Sequence, residues 1–329
     1  MKIRTVLSVA AVFGLVAGAY VASNLTSSYK GFQEPVFMEV KRGTSTAEMA
    51  NELASKGVVR APWLFLAARA IHRGARLQAG EYQFGKAASP LEVFGRIQRG
   101  DIFYMEVLIP EGFNMFDIAA ALEKQGTIKG AAFLAAAKDP ALISDLDPKA
   151  ESLEGYLFPS KYRIHRHTTA QQLCRQMTTE FRAQWAKIGG GADLHRTITL
   201  ASLVEREAKL HDEQPSVASV FQNRLRLGMK LDCDPTTVYA ALLQDRYRGV
   251  IHQSDLASDN PYNTYKHAGL PPGPIANPGV GAIRAAMHPA ATEYLYFVAR
   301  ADGSGGHTFS ASLQKHSAAV AQYHRATQH

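Results

Sequence analysis

Leu200-Ala-Ser-Leu-Val-Glu-Arg-Glu-Ala208 is the most informative stretch of this chain, because it places two carboxylates in an apolar run with helical spacing. The apolar positions predict one buried helix face. Glu207 falls inside that face, whereas Glu205 falls at its edge. An acid that donates a proton must be partly desolvated and still reachable by a substrate, which favours Glu205. Periodicity alone leaves both acids as candidates for proton transfer.

A loop rich in glycine and proline comes later in the sequence: Asn263-Thr-Tyr-Lys-His-Ala-Gly-Leu-Pro-Pro-Gly-Pro-Ile-Ala-Asn-Pro-Gly279. Glycine and proline select particular backbone conformations, so we expect this loop to form a shaped, polar wall. An acid together with a rigid polar wall indicates a binding or catalytic site.

Length and composition fit a globular protein. The 329 residues allow about two domains of roughly 150 residues each, and a hydrophobic content of 46% is enough for buried cores. The net charge of +7 favours anionic surroundings. The basic residues of the chain are scattered and do not form a surface stripe with aromatic residues, so nucleic acid is not expected as a partner. Neither cysteine belongs to a Cys-x-x-Cys pair, and Cys174 is predicted to be a buried free thiol.

The N-terminus predicts membrane targeting, because Lys2 and Arg4 precede an apolar run from about Val6 to Ala22. About 17 to 20 apolar residues can span a bilayer, whereas a cleaved signal peptide has an apolar region of about 7 to 15. Length therefore favours a retained anchor over cleavage near Ala17-Gly18-Ala19. The positive charges keep the N-terminus cytoplasmic, so we expect a single-pass protein of the cell (inner) membrane whose main domain lies outside the cytosol.

Four segments follow from the patterning, and the fold class is α+β. We expect residues 1–25 to form the cytoplasmic tip and transmembrane helix, 26–35 a tether, 36–105 a β-α-α-β module, and 106–329 a larger α+β domain. The order of strands and helices in the module resembles a LysM-like carbohydrate-binding module.

An internal echo at an offset of 69 residues indicates a duplication. Gly43-x4-Glu48-Met49-Ala50-x2-Leu53-x3-Gly57 matches Gly112-x4-Asp117-Ile118-Ala119-x2-Leu122-x3-Gly126. The pattern predicts the same capped helix twice. Two unrelated amphipathic helices with glycine ends would give the same pattern, so that alternative stays open.

Further motifs accompany the acid-bearing helix in a definite order. They are Leu153-Glu-Gly-Tyr-Leu-Phe-Pro159, Val220-Phe-Gln-Asn-Arg-Leu225, Asp234-Pro-Thr236, Tyr262-Asn-Thr-Tyr265, Gly269-Leu-Pro-Pro-Gly-Pro-Ile275, Asn277-Pro-Gly279, Tyr294-Leu-Tyr-Phe-Val298 and His307-x-Phe-Ser310. In order and spacing they resemble the MltG (YceG-like) family of endolytic lytic transglycosylases over nearly the whole chain.

The resemblance implies cleavage within peptidoglycan glycan strands, with Glu205 as the catalytic acid and with no metal or other cofactor. Glu205 protonates the oxygen between N-acetylmuramic acid and N-acetylglucosamine. It then accepts the proton of the muramic acid 6-hydroxyl as that oxygen closes onto the anomeric carbon. No water is consumed, so one carboxylate suffices where most glycosidases need two. The family also implies glycan polymerases, including penicillin-binding proteins, as neighbours.

Other residues of the matching motifs are candidates for binding sugar hydroxyl or N-acetyl groups. They are Glu154, Asn223, Asp234, Tyr262, Asn263 and Tyr265. Each has a structural alternative, such as capping a helix or holding a turn. The chain departs from the family at Asp232 and Cys233, where glutamine and a hydroxyl residue are usual. An extra acid there would change the pH at which Glu205 works if it faced the cleft.

Two other functions stay open. A non-catalytic peptidoglycan-binding scaffold would rely on the LysM-like module, and a muramidase would use water with a second acid such as Glu207 or Asp234. His165-x-His167 is the only close histidine pair. It lacks a downstream carboxylate signature, which favours a surface strand over a metal site.

Overall fold

The structure is a computed structural model that describes residues 2–191 and 193–327, with the backbone alone at residues 2–7 and 10. The chain divides into two compact units, Met1–Met105 and Glu106–His329. Both units combine helices with small two-stranded sheets, which confirms the α+β class.

The first unit contains four helices and two strands among its described residues. They are α1 (Lys2–Thr26), β1 (Val36–Val40), α2 (Thr46–Ser55), α3 (Pro62–Ile71), β2 (Gly80–Phe84) and α4 (Pro90–Arg99). β1 and β2 pair antiparallel, with Val36 opposite Phe84. Ser45 caps α2 and Ser89 caps α4, each in a capping box with a glutamate three residues later. The buried sheet residues Met38 and Tyr82 pack with apolar side chains of α2, α3 and α4.

The predicted transmembrane helix falls on α1. Its Lys2 and Arg4 side chains, and those of the first apolar residues, lie outside the described residues. Within the described residues no helix combines the length and the apolarity that a membrane span needs, so the structure does not support the predicted span.

The segment expected to be a tether, residues 26–35, is hydrogen-bonded to the rest of the first unit. Tyr29 and Ala88 exchange backbone hydrogen bonds of 3.0 and 3.2 Å, and the Gly31 amide donates to the Gly57 carbonyl oxygen at 2.8 Å. These contacts give the segment a fixed course over the module rather than that of an extended linker.

The second unit is larger and mainly helical. Its elements are β3 (Met105–Ile109), α5 (Met115–Lys124), α6 (Gly130–Ala137), β4 (Ser160–Ile164), α7 (Ala170–Ile188), α8 (Leu194–Glu207), α9 (Gln214–Arg226), α10 (Asp234–Leu243), α11 (Gln253–Leu256), α12 (Val280–Met287), β5 (Tyr296–Ala299), β6 (His307–Ser310) and α13 (Leu313–Thr327). β3 pairs with β4, and β5 pairs antiparallel with β6. α8 packs against both α9 and α12, which makes it the central helix of this unit. Cys174 is a buried free thiol on α7, as predicted.

The internal echo is confirmed as a repeat of local structure. Each copy has the order strand, turn, capped helix, second helix, strand. The two copies keep the offset of 69 residues through the first strand, the turn, the capping residue and the capped helix. The equivalent parts are Val36–Val40 and Met105–Ile109, Gly43 and Gly112 at positive φ, Ser45 and Asn114 as caps, and Thr46–Ser55 and Met115–Lys124.

We expect the packing of the first unit to depend on the inner face of α3. Leu64 is 2% exposed and Leu66 is 40% exposed on the same helix. Leu64→Ala should lower the free energy of unfolding by about 2 to 5 kcal/mol because it leaves a cavity. Leu66→Ala, the matched control, should cost about 1 kcal/mol or less. Urea unfolding followed by Trp63 fluorescence, in a Trp185→Phe background, measures the loss of stability in both variants. Equal losses would contradict the assignment of Leu64 to the core of the first unit.

Candidate active site

Glu205 is placed by α8, which is buried from Ile198 to Val204, directly before the acid. Asp193 caps the helix by accepting a hydrogen bond from the Arg196 amide at 3.0 Å. All residues from Thr199 to Val204 are buried, and Glu205 is the first partly exposed position after them. The helix ends at Glu207, because Ala208 adopts an extended backbone with ψ 103°. Glu205 therefore lies in the last turn of a buried helix.

The loop that ends at Gly279 runs along α8 and is bound to it at three points. The contacts are His195 Nε2 to the Pro272 carbonyl oxygen at 2.7 Å, the Ile275 amide to Ser202 Oγ at 3.0 Å, and the Gly279 amide to Glu205 Oε2 at 3.0 Å. Residues 272, 275 and 279 of the loop bind residues 195, 202 and 205 of the helix in that order, so the loop is fixed along the helix in the same chain direction. The last of these contacts binds the carboxyl of Glu205 itself.

A second turn, centred on Gly112, also lies close to this helix end. Gly112 has φ +78°, a conformation that favours glycine. Arg206 Nη1 donates to its carbonyl oxygen at 3.0 Å. A Cβ atom on Gly112 would lie 3.5 Å from Glu205 Cγ, so the turn lies close to the acid's side chain.

Asn277 joins the Gly112 turn, the Gly279 loop and the segment around Glu154. Its backbone amide and its side-chain Nδ2 both donate to the Phe113 carbonyl oxygen at 2.9 Å, and its carbonyl oxygen accepts from the Gly112 amide at 3.0 Å. Nδ2 also donates to Glu154 Oε1 at 2.8 Å, while Oδ1 accepts from the Leu157 amide at 2.9 Å. Asn277 is fully buried. Its hydrogen bonds thus set the distance between the two turns that flank Glu205.

Glu154 lies beneath this junction rather than on a surface, with 2% of the residue exposed. Its carboxyl also accepts from the Met115 amide at 2.9 Å. Burial raises the pKa of Glu154 to about 8, against the opposing effect of the Met115, Tyr239 and Asn277 donors. Glu154 holds the start of α5 against the Asn277 loop.

The surroundings of Glu205 are those of a proton donor. Burial raises the pKa of its carboxyl, and the Glu111 charge adds to that increase. The Gly279 amide, His211 and Arg206 act in the opposite direction. A raised pKa keeps the acid protonated to a higher pH than an exposed glutamate, which suits a general acid.

Glu207 has different partners. The Cys233 thiol donates to its Oε1 at 3.2 Å, and burial raises the pKa of its carboxyl. Asp232 is exposed and forms a 3.0 Å ion pair with Arg224 Nη1. The two positions that depart from the family pattern are therefore bound to Glu207 and to Arg224.

The six predicted sugar-binding residues have different partners in the structure. Asn263 is fully buried, and its side-chain Nδ2 donates to backbone carbonyl oxygens of residues 255, 256 and 258. Asn223 Nδ2 donates to the carbonyl oxygens of Thr292 and Tyr294. Like Glu154, these two amides hold loops, and their buried or occupied polar groups do not favour direct contact with a sugar.

The remaining three predicted residues keep accessible groups. Tyr265 donates to the exposed Asp234 carboxylate at 2.6 Å. The half-buried ring of Tyr262 packs against Tyr239, with ring centroids 5.1 Å apart. Asp234, Tyr262 and Tyr265 stay predictions as sugar-binding residues.

One acidic residue of the site escaped the sequence analysis. Glu111 precedes Gly112 in the turn after β3, and its exposed carboxylate lies against the Cα atom of Gly279. The available signal was Pro110-Glu-Gly112 directly after a strand. That signal marks a turn but does not say which distant segment the turn meets.

The raised pKa of Glu154 predicts a pH dependence of stability. Because the folded chain favours the protonated carboxyl, the contribution of Glu154 to the free energy of unfolding is full below about pH 4.5 and is lost as the pH rises towards about 8. Between about pH 5 and about pH 9 the wild type should therefore lose more stability than Glu154→Gln. Urea unfolding followed by Trp185 fluorescence, in a Trp63→Phe background, measures the two slopes. Identical slopes for Glu154→Gln and wild type would contradict this, and Glu106→Gln serves as the exposed control.

Comparisons with known proteins agree with the arrangement of these motifs. The YceG-like family matches residues 38–322. An endolytic murein transglycosylase of Bacillus subtilis is 29% identical, over 94% of this chain and 91% of its own length. Another from Streptococcus pneumoniae is 28% identical over 92% of this chain, which spans 61% of that relative. The crystal structure of a YceG-like protein from Listeria monocytogenes matches with a TM-score of 0.56 and 29% identity, over 87% of this chain and 99% of that one. Since the family match spans most of its residues, the chain belongs to the YceG-like family.

Proposed function

We propose that this chain is an endolytic peptidoglycan lytic transglycosylase and that Glu205 is its catalytic acid. The observation that carries the proposal is the setting of the Glu205 carboxyl. It is partly exposed at the end of a buried helix, lies between two fixed turns and is bound by the Gly279 amide. The names of the Bacillus and Streptococcus relatives supply the substrate and the reaction.

One carboxyl group is enough for the whole reaction, because it donates a proton in the first step and regains one in the second. Protonated Glu205 gives its proton to the oxygen that links N-acetylmuramic acid to N-acetylglucosamine. The bond between that oxygen and the anomeric carbon breaks, and its electron pair stays with the leaving sugar as a hydroxyl. The 6-hydroxyl oxygen of the muramic acid then bonds to the anomeric carbon, and its proton passes to the Glu205 carboxylate. The acid is regenerated, and one product has a 1,6-anhydro end.

The Gly279 amide suits this cycle because Glu205 alternates between neutral and charged forms. Burial favours the neutral form that begins the cycle. Once the proton has been donated, the carboxylate still accepts the 3.0 Å hydrogen bond from Gly279, which stabilises the charged form until the proton returns. The same group therefore serves first as acid and then as base.

A water-using muramidase is the alternative for the same acid, since it needs a second carboxylate. Glu207 is a weaker candidate for that part, because its carboxyl is occupied by the Cys233 thiol. Asp234 is exposed but accepts a hydrogen bond from Tyr265. A non-catalytic scaffold would have no use for a desolvated acid between two fixed turns.

Glu205→Gln should abolish cleavage of uncrosslinked glycan strands, with a fall of roughly 100-fold or more in rate, because glutamine cannot donate the proton. Mass analysis of the products measures both the rate and the chemistry. Anhydro ends support the transglycosylase, reducing ends support the muramidase, and an inactive wild type supports the scaffold. Glu207→Gln is the matched control two residues away on the same helix and should keep most of the activity. Full activity of Glu205→Gln would sink the assignment of the acid.

We also propose that the chain is attached to the cell (inner) membrane through α1 and works outside the cytosol, near glycan polymerases. The order of Lys2, Arg4 and the apolar run supports this, as do the large exposed apolar side chains of α1, Phe13 and Leu15 among them. Cell fractionation with external protease tests the proposal. Recovery in the soluble fraction would contradict it. Protection of the second unit from protease in cells that have lost their wall but keep an intact inner membrane would also contradict it.

The β-α-α-β order of the first unit supports a further role in binding glycan, as in LysM-like modules. Cosedimentation of the Glu205→Gln chain with insoluble peptidoglycan measures this binding without cleavage. A chain that stays in the supernatant would contradict the role.

A further inference from the structure

The turn that carries Glu111 places a second carboxylate at the edge of the Glu205 site. A Cβ atom on Gly279 would lie 1.9 Å from Glu111 Oε1, so the carboxylate occupies the space of the missing side chain. Gly279 has φ −76°, which any residue can adopt. Glycine at 279 is therefore explained by the Glu111 carboxylate and not by the backbone. The amide of this same residue donates to Glu205.

The internal repeat indicates that the fold itself does not require an acid here. The residue equivalent to Glu111 in the first copy, at the offset of 69, is Arg42. The turns around Gly43 and Gly112 share the same positive φ, and the capped helices after them have the same length. Gly43 has no heavy atom within 4 Å of its would-be Cβ, whereas that of Gly112 would lie 3.5 Å from Glu205 Cγ. The second copy, which lies close to Glu205, thus has the carboxylate of Glu111, whereas the same backbone in the first copy accommodates the cation of Arg42.

Four groups act on the charge of Glu205 from the elements around it. The Gly279 amide comes from the loop before α12, Arg206 from α8 itself, and His211 from the short helical turn before α9. These three favour the carboxylate. Glu111, from the turn after β3, is the nearby anion that favours the protonated form. Glu111 as a residue is exposed, and its carboxylate lies against Gly279.

We propose that Glu111 is a positioning residue whose carboxylate, held against Gly279, keeps Glu205 in its proton-donating form over the working pH range. Two carboxylates near each other cannot both be charged without cost, so the Glu111 carboxylate beside Gly279 favours the protonated form of the more buried Glu205. The inference rests on the proposed function, since it assigns the partner of that catalytic acid.

The test is the pH dependence of kcat/KM for glycan cleavage by the full chain. Activity should fall on the alkaline side as Glu205 loses its proton. In Glu111→Gln that alkaline limb should move to lower pH by about 0.5 to 1 pH unit, with activity restored at acid pH. Glu111→Arg, which places the first copy's residue in the turn, should move it further. Glu111→Asp keeps the charge and should restore most of the wild-type profile.

Two further variants separate charge from structure. Gly279→Ala keeps Glu111 but displaces the flexible end of its side chain, so its alkaline limb should also move to lower pH. Glu106→Gln on β3 removes a carboxylate that is paired with Lys161 and Arg163, and its profile should superimpose on that of the wild type. A cooperative urea unfolding transition, with a midpoint near that of the wild type, establishes that each variant is folded.

The outcomes distinguish this inference from the function on which it rests. A Glu111→Gln profile that is lowered equally at every pH, or that superimposes on the wild type, would overturn the role of Glu111 while leaving Glu205 as the acid. Full activity of Glu205→Gln, or no cleavage by the wild type, would overturn both.

Discussion

The buried hydrogen bonds of Asn277 are the interaction on which the site depends. A single side chain binds the carbonyl oxygen of Phe113, the carboxyl of Glu154 and the amide of Leu157, which belong to two segments far from Asn277 in sequence. Each is buried or nearly so, and a buried polar group without a partner is costly. Satisfying all of them with one amide leaves a single arrangement of the Gly112 turn and the Gly279 loop. The position of Glu205 between these segments follows from that arrangement.

The proposed chemistry depends on the difference between the surroundings of Glu205 and those of Glu207, both at the end of α8. α8 is buried from Ile198 to Val204, so the carboxyl of Glu205 lies where desolvation is still strong. Two residues later Glu207 is bound by the Cys233 thiol, which gives it a structural partner. An acid that is desolvated, reachable and bound by one amide can donate a proton and take one back. The 6-hydroxyl of the substrate supplies the nucleophile that a second carboxylate would otherwise activate.

Local features of this fold could be predicted from sequence, because they depend on neighbouring residues. The glycine ends and the repeat at an offset of 69 predict the two equivalent capped helices, Thr46–Ser55 and Met115–Lys124. The edge position of Glu205 also follows from helical periodicity. Glu154 and Asn263 show the limit: their motifs indicated polar side chains near a site, but only the folded chain places them under the loops they bind. Glu111 was missed because its partner, Gly279, lies on a distant segment that periodicity does not bring near it.

Digestion of uncrosslinked glycan strands in oxygen-18 water tests most directly whether cleavage proceeds without consuming water. We expect products with 1,6-anhydro ends and no incorporated oxygen-18, because the new bond to the anomeric carbon is made by the sugar's own 6-hydroxyl. Products with reducing ends that each carry one oxygen-18 atom would contradict this expectation.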